Sequence, residues 1–106
     1  APNHEKYALC NKIREMLYEM YDLAVEAYKR TQKKATLDKL DIIHERIRML
    51  YALYYELGYF SYKRGKPNEA DAHHRLSTIN RMHDEIGVMI GGWIKSDREK
   101  RCRILE

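Results

Sequence analysis

The chain reads as an all-α protein, an antiparallel helical bundle with three long helices, on three observations. Apolar residues recur at spacings of three and four over three separate segments, the pattern of a helix with one buried face. Only five glycines and two prolines occur in 106 residues, too little turn chemistry for the many short strands of a sandwich or barrel. These breakers are grouped, at Pro2, between Gly58 and Pro67, and between Gly87 and Gly92.

The first segment, about 3–30, carries Leu9, Ile13, Met16, Leu17, Met20, Leu23, Ala24 and Ala27, and the polar run Thr31-Gln32-Lys33-Lys34 ends it. The second, about 36–57, carries Leu40, Ile43, Ile47, Leu50, Tyr54 and Leu57. Thr36 is expected to cap its start, and Gly58 to supply the left-handed residue after its end. The third, about 68–97, carries Leu76, Ile79, Met82, Ile86, Ile90 and Trp93, and leaves a basic tail, 98–106. Asn68 opens it, and Glu69 and Asp71 have the sign that suits a helix start. Short connections make successive helices antiparallel neighbours.

Length and composition bound the rest. A chain of 106 residues is one domain. With 44% hydrophobic and 34% charged residues, it is too apolar for a disordered segment and too charged for a membrane span. Its longest uncharged stretch, Ile86 to Ile94, is nine residues, against the ~20 that a spanning helix needs. No apolar run follows a basic start, so no signal peptide is expected. Cys10 and Cys102 fall at opposite ends of the three-helix path, which predicts free thiols and a cytoplasmic protein.

The apolar arcs are wider than a three-helix monomer needs. Tyr7, Tyr18, Tyr21 and Val25 flank the main stripe of the first helix, and Ile42, Met49 and Leu53 flank that of the second. A bundle helix needs a stripe only somewhat over ~100° wide. The excess predicts cover by a further helix, by other subunits, or by both. Arg46 projects along the second flank with no acid one turn away on its own helix. It calls for a carboxylate from another helix or subunit, or for exposure at the bundle edge. Three glycines in six positions, Gly87, Gly91 and Gly92, each cost a helix about 1 kcal/mol. They predict close backbone approach there, with Trp93 on the core stripe; a fraying helix end is the alternative.

The candidate chemistry is sparse. Asp41-x-x-His44 and Asp71-x-x-His74 only approximate the Glu-x-x-His pairs of di-metal bundles. The five histidines are expected at the surface or at caps, and neither metal nor cofactor is expected. No Ser-His-Asp or Cys-His grouping and no phosphate-cradling Gly-rich loop is apparent. Lys63-Arg64-Gly65-Lys66-Pro67 with Arg75 loosely resembles the basic ligands of chorismate mutases, which leaves an enzyme as a remote alternative.

The charge map points elsewhere. Net charge is +4, a mild excess. The antiparallel path brings 29–34 and 95–106 to one end. The first stretch holds Lys29, Arg30, Lys33 and Lys34 with no acid, and the second holds Lys95, Arg98, Lys100, Arg101 and Arg103 against three acids. Such a basic pole suits phosphate contacts of RNA or DNA. Alternatively these are cations at helix ends, answering the dipole.

The string Glu85-Ile86-Gly87-Val88-Met89-Ile90-Gly91-Gly92-Trp93-Ile94-Lys95 resembles the closing motif of the accessory variability determinant (Avd) proteins of diversity-generating retroelements. Ile47-Arg48-Met49-Leu50 and Glu56-Leu57-Gly58-Tyr59 resemble that family's Leu-Arg-rich helix and the turn after it. The likeness covers roughly 7–95 and extends to the four-helix proteins of ribosomal-RNA intervening sequences. It implies a four-helix bundle assembled into a ring, a pentamer, with a basic surface for nucleic acid. It also implies a non-catalytic partnership with the element's error-prone reverse transcriptase in mutagenic retrohoming. The family's first helix has no counterpart in the chain, Ala1-Pro2-Asn3 resembling the loop after it, and Ala52 stands where the family has a second arginine. The expected contacts are Lys29, Arg30, Lys33, Lys34, Lys95, Arg98, Lys100 and Arg101 for nucleic acid, and Gly87, Gly91, Gly92, Trp93, Arg46, Ile42 and Leu53 for helix packing or oligomerisation. A protein-interaction module without nucleic-acid binding is the competing class.

Overall fold

The computed structural model describes residues 2–60, 62–63, 66–67 and 69–105, and its architecture is all-α. Helix α1 spans Pro2–Lys29, α2 Lys34–Glu56 and α3 Glu69–Leu105. Between α2 and α3, the two-residue strands β1 (Tyr62–Lys63) and β2 (Lys66–Pro67) pair antiparallel.

The helix ends depart instructively from expectation. Thr36 is no cap. Helix α2 starts two residues earlier, the backbone of Lys33 is already near-helical (φ −105°, ψ −14°) without a side-chain cap bond, and Thr36 is buried in the first turn. The Lys33 ammonium instead reaches back to α1, donating to the carbonyls of Ala27 (2.5 Å), Arg30 (2.6 Å) and Tyr28 (3.2 Å). Those are carbonyls that a helix C-terminus leaves unsatisfied. Gly58 does close α2, at φ 78°. The Tyr59 N–H donates to the Tyr54 carbonyl and the Gly58 N–H to that of Tyr55, a Schellman arrangement. Asn68, expected to open α3, lies outside the described residues. The expected tail 98–106 is helix through Leu105, because it holds no breaker and Arg101 pairs with Asp97 one turn back at 3.0 Å.

Helix α2 is central, packed on both α1 and α3. The buried core runs along it as Leu37, Leu40, Ile43 and Ile47, with Met16 and Ala27 from α1 and Ile90 from α3. Trp93 packs against this core half-buried. The molecule measures 61 × 24 × 16 Å, a layer scarcely thicker than one helix with its side chains, ~10–12 Å. α3 alone, at ~1.5 Å per residue, accounts for most of its length. Cys10 is half-buried and Cys102 exposed, both free.

Two histidines correct the sequence reading. His4, His73 and His74 are exposed as expected, but His44 and His83 are buried between α2 and α3. Met82, expected on the core stripe of α3, is exposed; the buried line is Ala72, His83, Ile90 and Asp97.

Candidate functional site

The basic pole is built where the path predicts, but its cations are not equivalent. A depression of about 240 Å³ between the start of α2 and the late part of α3 gathers Lys34, Arg98 and Arg101 around Leu37 and Ile94, with Asp38 and Asp97 among them. Lys34 pairs with Asp38 at 3.1 Å and Arg101 with Asp97 at 3.0 Å. Across the loop, Arg30 pairs with Glu26 at 2.9 Å, and the Lys29 ammonium lies 5.8 Å from the ring centre of Tyr28. Lys33 is committed to its cap. Lys95, Arg98 and Lys100 are exposed and form no ion pair among the described residues. Lys100 lies two residues from Arg98, hence about 200° around the helix, and faces away from the depression. The buried Asp97 is the component that charge counting could not place: it tethers Arg101 beside Lys34. Arg103, outside the expected set, is exposed at the same end.

The apolar flanks are exposed as the arcs predict. Tyr7, Tyr18, Tyr21 and Val25 stand out of α1, and Ile42, Met49 and Leu53 out of α2. Arg46 is exposed too, the second of its two alternatives, and lines a depression with Met49, Leu50, Lys12, Met16 and Glu19. A separate apolar groove of about 360 Å³ runs between α1 and α3. Met20, Tyr21 and Ala24 form one wall, Leu40 the floor, and Ile86, Met89, Ile90 and Trp93 the other wall.

The glycines separate into two kinds. A Cβ on Gly87 would come within 2.8 Å of His44 Cε1, whereas Cβ atoms on Gly91 or Gly92 would meet nothing within 4 Å. Helix α3 continues well past all three, so fraying is not their cause. Gly87 makes room for a histidine clasp. The rings of His44 and His83 stack at 3.7 Å and 7°. Each Nε2 lies near the other residue's backbone carbonyl, at 2.8 and 2.7 Å. A carbonyl only accepts, so both Nε2 atoms carry the proton and donate. Tyr51 sets its ring edge-on to His83 at 5.4 Å. Burial holds His83 below the ordinary histidine value. Spacing alone could not reveal the clasp, because its two halves lie on different helices.

The remaining chemistry is thin. A third depression, about 450 Å³, holds Lys6, Tyr54, Phe60, His74 and Arg75. Arg75 is spent on Asp71 (2.9 Å) and the Phe60 carbonyl (3.5 Å). Arg64 and Gly65 of the enzyme-like basic stretch lie outside the described residues. Among the described residues, no group of three His, Cys, Asp or Glu could hold a metal ion, and no helix is long and apolar enough to cross a membrane.

The model of the bAvd-like family matches residues 1–97. The chain belongs to the bAvd-like family. Neither the curated proteins nor the solved structures yield a match. As a bAvd-like chain it falls in an accessory family, and the match takes in the Gly87–Trp93 string together with the helices that surround it.

Proposed function

We propose that this bAvd-like chain is a non-catalytic accessory protein of a diversity-generating retroelement. In this reading it is a homo-oligomer, a pentamer, that binds template RNA or cDNA and the error-prone reverse transcriptase in the cytoplasm. The family match over 1–97 carries the reading. The gathering of Lys34, Arg98 and Arg101 at one pole supports nucleic-acid contact. The exposed apolar flanks of α1 and α2 support assembly, and two free cysteines suit a reducing compartment. The ion pairing of several pole cations favours a second reading, a protein-interaction module with solvated charges.

The experiment is fluorescence anisotropy with a short labelled single-stranded RNA over a salt series, with light-scattering mass in parallel. Affinity should fall linearly on a log–log plot, by a slope of about 0.7 per phosphate contacted. Replacing Lys34, Arg98 and Arg101 with glutamine should flatten the slope by about two, from three contacts at about 0.7 each. Binding with no salt dependence, or no binding, would leave the interaction-module reading. Retention of the reverse transcriptase on the immobilised chain, with and without nuclease, tests that partnership separately.

A further inference from the structure

The exposed faces of α1 and α2 are not merely apolar; they are periodic. On α1, Tyr7, Asn11, Arg14, Tyr18, Tyr21, Val25 and Tyr28 follow one another at alternating steps of four and three, and every one is exposed. On α2, Lys39, Ile42, Arg46, Met49, Leu53 and Glu56 do the same, again all exposed. Alternating three–four spacing is the seam of helices that pack along their length. Tyr18 is 66% exposed and Met49 64%, so neither seam is covered within the chain.

The two seams carry opposite charge at matching intervals. Beside the α1 seam stand Glu15 and Asp22, one heptad apart. Within the α2 seam stand Lys39 and Arg46, also one heptad apart. None of the four forms an ion pair among the described residues, although this chain pairs other charges on α1, α2 and α3. An α1 seam laid on another α1 seam sets acid near acid, with Arg14 the one cation within it, and α2 on α2 sets cation near cation, Glu56 lying at the far end and the neighbouring Asp38 and Glu45 being paired with Lys34 and Arg48. The unlike combination sets two acids against two cations at one spacing.

The seams also open on opposite sides of the layer. Tyr21 lines the α1–α3 groove whose floor is Leu40. Met49, nine residues on, lies about 180° around α2 from Leu40 and lines the other depression. A copy can therefore offer both seams at once.

We propose that the Tyr18–Tyr21–Val25 seam of α1 in one copy docks on the Ile42–Met49–Leu53 seam of α2 in a second copy, head to tail, with Glu15 and Asp22 facing Lys39 and Arg46. The inference rests on the oligomeric part of the proposed function and names its surfaces. Unlike-face contacts either close into rings or extend as filaments, and the acid–cation register restricts how neighbours align.

The test is light-scattering mass of charge-reversal variants. Glu15→Lys with Asp22→Lys, and separately Lys39→Glu with Arg46→Glu, should each lower the mass toward the single chain of 12.7 kDa. All four reversals in one chain should restore the wild-type mass. Helical circular dichroism confirms that each variant folds; these are exposed, unpaired positions. As a check independent of charge, Val25→Cys and Met49→Cys, which share the 24-residue offset of Glu15 to Lys39 and Asp22 to Arg46, in separate chains with Cys10 and Cys102 replaced by serine, should cross-link when mixed. Neither should cross-link alone. A monomeric wild type overturns the oligomer and this docking together. An oligomer indifferent to both reversals, or one that the fourfold exchange fails to restore, overturns the docking and leaves the oligomer standing.

Discussion

Two faces of α2 carry polar groups among apolar ones, and the chain treats them differently. Toward α3, His44 meets a partner of its own kind. Each Nε2 finds the opposite carbonyl, the rings stack, and Gly87 leaves the space. On the outer side, Lys39 and Arg46 interrupt Ile42, Met49 and Leu53, and no opposite charge within the chain pairs with them among the described residues. The first face buries polar atoms and satisfies them, as a finished interior must. The second exposes both its apolar and its charged groups, the composition of a surface awaiting another chain.

The largest expected effect breaks the finished face. Gly87→Ala would drive a Cβ to 2.8 Å from the His44 ring. To relieve it, the His44 ring must turn out, leaving the His83 carbonyl without its extra donor and the His83 ring without its stacking partner. A loss of about 2 kcal/mol follows from the broken hydrogen bond and packing, after the small helix-propensity gain of alanine is deducted. The urea midpoint reads it. An unchanged midpoint would mean that the clasp contributes nothing.

Acid should act on the same face more gently. His83 is held below the ordinary histidine value, first by burial, then by the neighbouring His44 and Arg48. The hydrogen bond to the His44 backbone and the nearby Asp84 oppose this. In the folded chain His83 stays neutral where the unfolded chain already binds a proton. Its contribution is therefore fully present above pH 6.5, the unperturbed value, and is lost as pH falls through the lower folded value. Urea midpoints should drop between neutral and mildly acidic pH, and His83→Phe should flatten that slope. Glu45, which pairs with Arg48 at 2.5 Å, moderates the cation on this side.

The helices were legible where one face of one segment decided them. The three-four spacing of Leu40, Ile43 and Ile47 locates α2's buried face, and the width of the arcs on α1 and α2 foretells their exposed flanks. What escaped depends on pairs across helices. A lone histidine in an apolar line looks like an interruption, so His44 and His83 read as surface groups until their rings meet. Asp97 reads as the last residue of its helix, one more charge at the basic end, until α3 is seen to continue past it. Lys33 counts toward a basic pole by sequence, whereas its ammonium is held by α1's carbonyls. The pole's position follows from topology; which of its cations are free does not.

That last distinction can be measured. Lys33→Met should remove the cap on α1 and lower stability by about 1 kcal/mol, read from thermal or urea unfolding. It should leave the salt slope of any RNA binding unchanged, because the ammonium is already engaged. Arg98→Gln should do the reverse, sparing stability and reducing the slope. If the two variants moved the slope equally, the committed and free cations of the pole would be indistinguishable to a polyanion.

The smallest effect sharpens the contrast between the glycines. A methyl group at Gly91 meets nothing within 4 Å, so Gly91→Ala should stabilise α3 by up to about 1 kcal/mol through helix propensity alone. The chain keeps glycine there although its own fold does not need one, while at Gly87 a methyl group would strike His44. Measured well below the concentration of any assembly, Gly91→Ala should therefore raise the urea midpoint where Gly87→Ala lowers it. Repeating the measurement at high concentration separates two causes for the glycine. A gain that persists means Gly91 is free of neighbours in the assembly too, and its helix cost has no packing return. A gain that vanishes as mass drops means a second chain's backbone approaches α3 there, and Gly87 and Gly91 serve the same close approach, one within the chain and one between chains.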